Sequence, residues 1–186
     1  MRVIAGVAKG RKLGSVPPGV RPVSDRAREG LFSSLAGAVP GARVLDLFAG
    51  TGALGIEALS RGADHVVFVD RSRHAAGAVR ANLAATHLDD RAAVVTAEAR
   101  SFLSQPHRSG GPFDLVLLDP PYDLQGPALE RVLRDLATGW LADGWTVALT
   151  RGAKSSTPVI PVDWVVAKRL RYGDSLVILY REVPWA

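Results

Sequence analysis

The sequence predicts an α/β fold built on a mostly parallel sheet. Three observations carry this. Short apolar segments alternate with segments of helical periodicity. The apolar segments are apolar at consecutive positions, not at every second one. A glycine-rich turn joins the first of them to a helix. Alternation of strands and helices implies βαβ units, whose helices cover both faces of the sheet, and strands covered on both faces lose the apolar–polar alternation of a half-exposed sheet. At 186 residues and 47% hydrophobic content, the chain suits one packed core.

Residues 1–22 hold four glycines and three prolines among basic side chains and read as an irregular or short-stranded arm. Ser24 suits the N-cap of a helix starting at Asp25, and Ala27, Leu31 and Leu35 give that helix one buried stripe. Gly37, Pro40 and Gly41 end it. Val44–Phe48 is the first strand and runs into Ala49-Gly50-Thr51-Gly52. A helix follows through Ile56, Glu57, Ala58 and Leu59. Val66–Asp70 is the second strand, with Ala75, Val79 and Leu83 marking the helix after it. Ala93–Val95 is the third strand and Phe113–Leu118 the fourth. Leu129, Val132, Leu133 and Leu136 mark a helix at i, i+3, i+4, i+7, and Trp145–Leu149 is the fifth strand. Trp164–Leu170 and Ser175–Tyr180, joined by Arg171-Tyr172-Gly173-Asp174, form a hairpin that gives the sheet an antiparallel edge. The division predicted is a basic arm over residues 1–23 and one domain over 24–186.

Composition excludes several functions. With no cysteine there is no disulfide, no thiolate metal site and no cysteine nucleophile, which removes base methylation through a thiol adduct. His65, His74, His87 and His107 lack metal-ligand spacing, so no metal is expected. No apolar run reaches the roughly 18 residues that span a bilayer, and Met1–Gly6 lacks the apolar stretch of a secretory signal. A cytoplasmic protein with no membrane partner is the expectation.

The net charge of +5 is unevenly placed. Residues 1–28 carry Arg2, Lys9, Arg11, Lys12, Arg21, Arg26 and Arg28 against Asp25 alone, whereas the rest of the chain holds 16 basic and 17 acidic residues. A basic arm on a near-neutral body suits a polyanion. Lys168, Arg169 and Arg171 form a second basic cluster.

Gly50-Thr51-Gly52-Ala53-Leu54-Gly55 matches G-x-G-x-x-G between a strand and a helix, with Asp70 closing the next strand. Glycines permit the tight turn and close ligand approach, and an acid at Asp70 can accept both hydroxyls of a ribose. A dinucleotide fits this pattern as well as any other adenosine ligand. Asp46, four residues before Gly50, separates the two, because its carboxylate repels a pyrophosphate and attracts the ammonium and sulfonium of S-adenosylmethionine. Phe48, Ala49, Gly50, Thr51, Gly52, Asp70 and Arg71 are the further candidate cofactor contacts. Glu98, with Ala99 after it, stands either as an acceptor for an adenine amino group or as an acid at a helix start.

Phe113–Leu118 delivers Asp119-Pro120-Pro121-Tyr122 to the carboxyl end of a strand, where α/β sheets bind ligands. A base amino nitrogen is a poor nucleophile because its lone pair is delocalised into the ring. Acceptors on its N–H groups, the Asp119 carboxylate and the Pro120 carbonyl, push it toward a pyramidal form. The prolines fix the loop, and Tyr122 is placed to stack on an unpaired base.

Asp46–Gly52 resembles motif I of the class I methyltransferases, and Asp119–Tyr122 their amino-methylating motif IV. Together with Arg2-Val3-Ile4-Ala5-Gly6, Lys9-Gly10-Arg11 and Arg21-Pro22-Val23-Ser24-Asp25-Arg26, these stretches resemble the bacterial 16S rRNA guanine-N2 methyltransferase family, RsmD. Val23 departs from the threonine common there. The resemblance implies a Rossmann-like, seven-stranded methyltransferase fold, S-adenosyl-L-methionine as cofactor, and guanine 966 of 16S rRNA as target. It implies a partner in the small ribosomal subunit or an assembly intermediate, and a monomeric enzyme. Arg2, Lys9, Arg11, Lys12, Arg21, Lys168, Arg169 and Arg171 are then the candidate RNA contacts. Rival readings are a DNA adenine-N6 or protein glutamine methyltransferase with the same loop, a nicotinamide-dependent oxidoreductase, and a non-catalytic RNA-binding module.

Overall fold

A computed structural model describes residues 1–14, 23–105, 110–121 and 123–183. Seven strands form one sheet: β1 (Arg43–Leu47), β2 (His65–Asp70), β3 (Ala92–Thr96), β4 (Phe113–Leu118), β5 (Leu141–Gly152), β6 (Trp164–Tyr172) and β7 (Ser175–Glu182). Their order is β3-β2-β1-β4-β5-β7-β6. The first five are parallel, and β7 joins antiparallel to both β5 and β6. The predicted α/β sheet with its antiparallel hairpin edge is therefore present. The turn is tighter than expected: Arg171 and Tyr172 belong to β6, leaving Gly173-Asp174 as the connection.

Helices α1 (Asp25–Ser34), α2 (Ala53–Ser60) and α3 (Arg73–Thr86) lie on one face, and α4 (Ala99–Leu103) and α5 (Pro127–Leu136) on the other. Ser24 caps α1 as predicted, its hydroxyl accepting from Ala27 N at 3.2 Å, and Ala27, Leu31 and Leu35 are buried. Leu31, Ile56 and Val79 pack with Val44, Phe68 and Leu115, while Phe102, Val132 and Leu136 pack with Leu45, Val67 and Val116. The short α4, which periodicity did not reveal, begins on its cap at Glu98.

The amino-terminal segment requires a correction. It is not an exposed irregular arm, because residues 1–14 form a small closed loop bridged between Arg2 and Lys12, with Val3 N donating to Arg11 O at 3.0 Å. Val3, Ala8 and Leu13 are buried in the α1–α3 core. Glu57 of α2 accepts from Ile4 N (2.8 Å) and Ala5 N (3.0 Å), and Ser60 Oγ accepts from Ala8 N (3.0 Å). Gly6 has φ +82°, and a Cβ there would lie 1.8 Å from the Ser60 carbonyl oxygen, so only glycine fits this approach. Arg28, counted above with the basic arm, is fully buried. Its Nη2 donates to Asp25 Oδ1 (2.9 Å) and to the Arg2 carbonyl, and Glu57 lies 4.0 Å from its Nε. Its charge is spent inside the protein and is not available to a partner.

Candidate functional site

Strand order reverses between β1 and β4: the chain goes outward through β2 and β3 on one side and through β4 and β5 on the other. Such a switch point opens a crevice at the carboxyl ends of the strands. A cleft of 700 Å³ lies there, within the size range of small-molecule sites. The two sequence motifs end up in its wall because β1 and β4 are neighbours in register, Leu47 opposite Leu118.

The β1 side is the glycine loop. Phe48 (φ 71°), Gly50 (φ 56°) and Gly52 (φ 77°) all take left-handed backbone, which folds the chain back sharply before α2. The amides of Phe48 and Ala49 both donate to Val69 O at 3.0 Å. A Cβ on Gly50 would meet nothing within 4 Å, so the loop there faces open cleft. Gly52 does not line the cleft. Its α-carbon faces α3, where a Cβ would lie 3.2 Å from Val79.

Of the acids that line the cleft, Asp46, Asp70 and Glu98 also hold backbone. Asp46 Oδ2 accepts from Gly55 N at 2.9 Å in the first turn of α2. Asp70 accepts from Gly50 N (2.9 Å) and Ser72 N (2.8 Å), tying β2 to the glycine loop. Glu98 accepts from Ser101 N at 2.9 Å, capping α4, and remains exposed at the cleft. Asp46 and Glu98 thus each bond a backbone amide at a helix start and also line the cleft. Burial is the main cause that pushes the Asp46 carboxyl up to about 8. The Gly55 N–H opposes this, and the negative charges of Asp119 and Asp70 add to it.

The β4 side is Asp119-Pro120-Pro121. All three line the cleft, with Pro120 buried and Pro121 exposed. Burial pushes the Asp119 carboxyl up to about 7, and the Arg151 guanidinium opposes it. Tyr122 lies outside the described residues, as does Arg21. The cleft also takes in Val23, from the Arg21–Arg26 stretch quoted above, and His74, Ala97, Asp123 and Leu124, which no motif signalled. His74 sits beside the cap at Ser72, whose spacing to the following helix was the only clue available.

The predicted polyanion contacts occupy separate places. Arg2, Lys9, Arg11 and Lys12 are exposed on the closed amino-terminal loop, although Arg11 Nη1 donates to Ala85 O at 2.9 Å. Arg2 and Lys9 border a 320 Å³ hollow against α1, shared with Arg26, Asp25 and Glu29. The basic cluster on β6 is split between faces. Lys168 pairs with Leu179 and its Nζ lies 3.3 Å from Ser34 Oγ on α1, whereas Arg169 and Arg171 pair with Ile178 and Leu176 and lie on the α4–α5 face.

Residues 1–181 match the Conserved hypothetical protein 95 family. The chain is 38% identical over 184 residues to ribosomal RNA small subunit methyltransferase D of Escherichia coli K12, covering 97% of this chain and 89% of that protein. It is 32% identical to the protein of the same name from Haemophilus influenzae, with 97% and 92% covered. Among solved structures, the yhhF protein of Escherichia coli superposes with a TM-score of 0.86 at 38% identity, covering 98% of this chain and 97% of that one. A hypothetical protein of Thermus thermophilus superposes at 0.82 with 32% identity, covering 96% and 98%.

Proposed function

We propose, from the premise that this chain belongs to the Conserved hypothetical protein 95 family, that it transfers a methyl group from S-adenosyl-L-methionine to the exocyclic N2 of a guanine in 16S rRNA of the small ribosomal subunit, at family position 966. One observation carries the chemistry: a glycine loop flanked by carboxylates and an Asp-Pro-Pro segment face each other across a single cleft at the switch point. The names of the small-subunit rRNA methyltransferases that the chain resembles along nearly its whole length support the target.

The residues present fit the cofactor. At 700 Å³ the cleft has the volume of a small-molecule site, enough for a nucleoside joined to an amino acid. Asp70 suits ribose hydroxyls, Glu98 an adenine amino group, and Asp46 the positive groups of the methionine end. Phe48, Ala97, Ala99 and Leu124 supply apolar wall. Bound there, S-adenosylmethionine supplies an electrophilic methyl carbon on a sulfonium. Asp119 and the Pro120 carbonyl accept the two N–H groups of the target amine, concentrating its lone pair on nitrogen. Asp119 in its ionised form takes up the proton that the nitrogen gives up as its bond to carbon forms. Pro120 and Pro121 fix these acceptors in place, and Tyr122 serves as the stacking surface for the base. The exposed Arg2, Lys9, Arg11, Lys12, Arg169 and Arg171, with Lys168 on the other face, bind RNA phosphates.

The test is transfer of labelled methyl to 16S rRNA, small-subunit particles, duplex DNA and protein, followed by mass spectrometry of the modified nucleosides. N2-methylguanosine from rRNA is the expected product. N6-methyladenine in DNA, methylglutamine in protein, or no transfer at all would each replace this reading with a rival.

A further inference from the structure

The carboxyl end of β5 carries a buried cation that the chemistry above does not use. Arg151 is 2% exposed. It continues the Trp145, Val147, Leu149 alternation and so lies on the α4–α5 face of the sheet. Because Leu118 of β4 is opposite Leu149 of the parallel β5, Arg151 stands beside the segment that starts at Asp119. Its Nη1 donates to the Leu124 carbonyl at 2.9 Å. The catalytic segment is therefore attached to the sheet at both ends, covalently at Leu118 and by this bond at Leu124. A guanidinium is expensive to bury without partners, and the carbonyl that Nη1 meets, at Leu124, follows directly on the amine-methylating segment.

We propose that Arg151 is a positioning residue for methyl transfer, which clamps the Asp119–Leu124 loop to the end of β5 and faces the Asp119 carboxylate with a fixed positive charge. The inference rests on the role given to Asp119 above. An acceptor of N–H bonds and of a proton must be an anion, and burial alone favours its neutral form. The other charged or titratable groups around this point are Asp46 from β1, Asp70 from β2 and Asp123 on the loop itself. Tyr180 from β7 feels the charges of both Arg151 and Arg169 of β6. Burial opposes ionisation of Asp119, and the Arg151 charge favours it.

The test reads Asp119 directly and needs no substrate. Carboxyl-labelled aspartate gives the Asp119 resonance, assigned with Asp119→Asn, and its titration is followed in wild type, Arg151→Lys and Arg151→Met with S-adenosylhomocysteine bound. Removing a nearby opposite charge is expected to raise the midpoint by about 1–3 pH units in Arg151→Met, and less in Arg151→Lys. The acid limb of the single-turnover rate should move by the same amount, with activity returning at higher pH and cofactor affinity holding within about twofold. Should Arg151→Met fail to fold, the wild type still decides. The guanidinium nitrogens of Arg151 should shift with the Asp119 midpoint, and Asp119→Asn should abolish that shift. An Asp119 midpoint indifferent to residue 151, or Arg151 nitrogens indifferent to Asp119 ionisation, overturns the inference. Failure of the methylation reading would appear elsewhere, as an Asp119→Asn variant with undiminished transfer.

Discussion

The glycine loop after β1 and the Asp-Pro-Pro loop after β4 solve the same problem by opposite means. The first is shaped by positive-φ residues, which cost conformational freedom, and is held by acids that bond backbone amides in and around it: Asp70 to Gly50 and Ser72, Asp46 to Gly55 in the helix that follows. The second is shaped by prolines, which have little freedom to lose, and is held from outside by Arg151 on a neighbouring strand. In the first loop, binding and shape share the same carboxylates. In the second, the acid that does chemistry is distinct from the cation that fixes the loop. Damage to the first should therefore appear in cofactor affinity and stability together, and damage to the second in rate alone.

The largest expected effect breaks the second loop. Asp119→Ala should lower single-turnover methyl transfer by roughly 100- to 1000-fold, while calorimetry shows S-adenosylhomocysteine affinity within about twofold. A matching loss of cofactor affinity would erase the distinction between the loops.

Next comes the first loop. Asp70→Ala should weaken S-adenosylhomocysteine binding about tenfold to a hundredfold through lost ribose bonds. It should also lower the midpoint of ligand-free thermal unfolding, because Gly50 and Ser72 lose their acceptor. Weakened binding at unchanged stability would show that the carboxylate does not hold the loop.

A third test uses pH. Asp46 holds its proton up to about 8 in the ligand-free fold, and a bound ammonium or sulfonium favours the anion. Binding at pH 7 should then release up to about one proton, visible as a dependence of calorimetric heat on buffer ionisation, and affinity should rise up to about tenfold per unit between pH 6 and 8. The same group fixes the sign for stability. Its folded-state value lies above that of the unfolded chain, so ligand-free stability is highest below about pH 4 for this group and is lost as pH climbs toward about 8. Asp46→Asn should flatten both dependences.

The smallest effect concerns RNA. Replacing Arg2, Lys9 and Lys12 with alanine should flatten the log–log salt slope of RNA binding by up to about 2.1, at about 0.7 for each lost phosphate contact, without changing cofactor affinity. Leu13→Ala in the same segment is different in kind. It should destabilise the protein by about 2–5 kcal/mol as a core truncation, and an unaltered unfolding midpoint would return the segment to the status of a loose arm.

The α/β order and both loops were legible because each rests on neighbours in sequence: Ser24 before its helix, Asp46 before Gly50, the strand Phe113–Leu118 before Asp119. What was not legible depends on distant residues meeting. Glu57 looked like one more helical glutamate, and only the fold brings it to Ile4 and Ala5, more than fifty positions away. Arg151 lies two residues beyond the predicted end of the fifth strand at Leu149, in no motif. The basic cluster on β6 read as one patch, yet a register shift between Val166 and Lys168 interrupts the alternation that starts at Trp164. Without that shift Lys168 would share the face of Trp164 and Val166. With it, Lys168 reaches α1, and Arg169 and Arg171 take the opposite side.

The docking of Gly6 onto Ser60 also makes the amino-terminal loop depend on a distant helix. The closed amino-terminal loop gains its buried contacts only against a helix some fifty residues further along the chain, and closing so long a loop is slow relative to forming a local turn. Until α2 has been placed on the sheet, Val3, Ala8 and Leu13 have no surface to cover, and the loop that spaces Arg2, Lys9 and Lys12 is held by its own backbone bonds alone. The placement of these cations on the body of the protein thus depends on a contact made across some fifty residues of chain. A chain trapped partway would carry the charges of an RNA-binding surface without its shape.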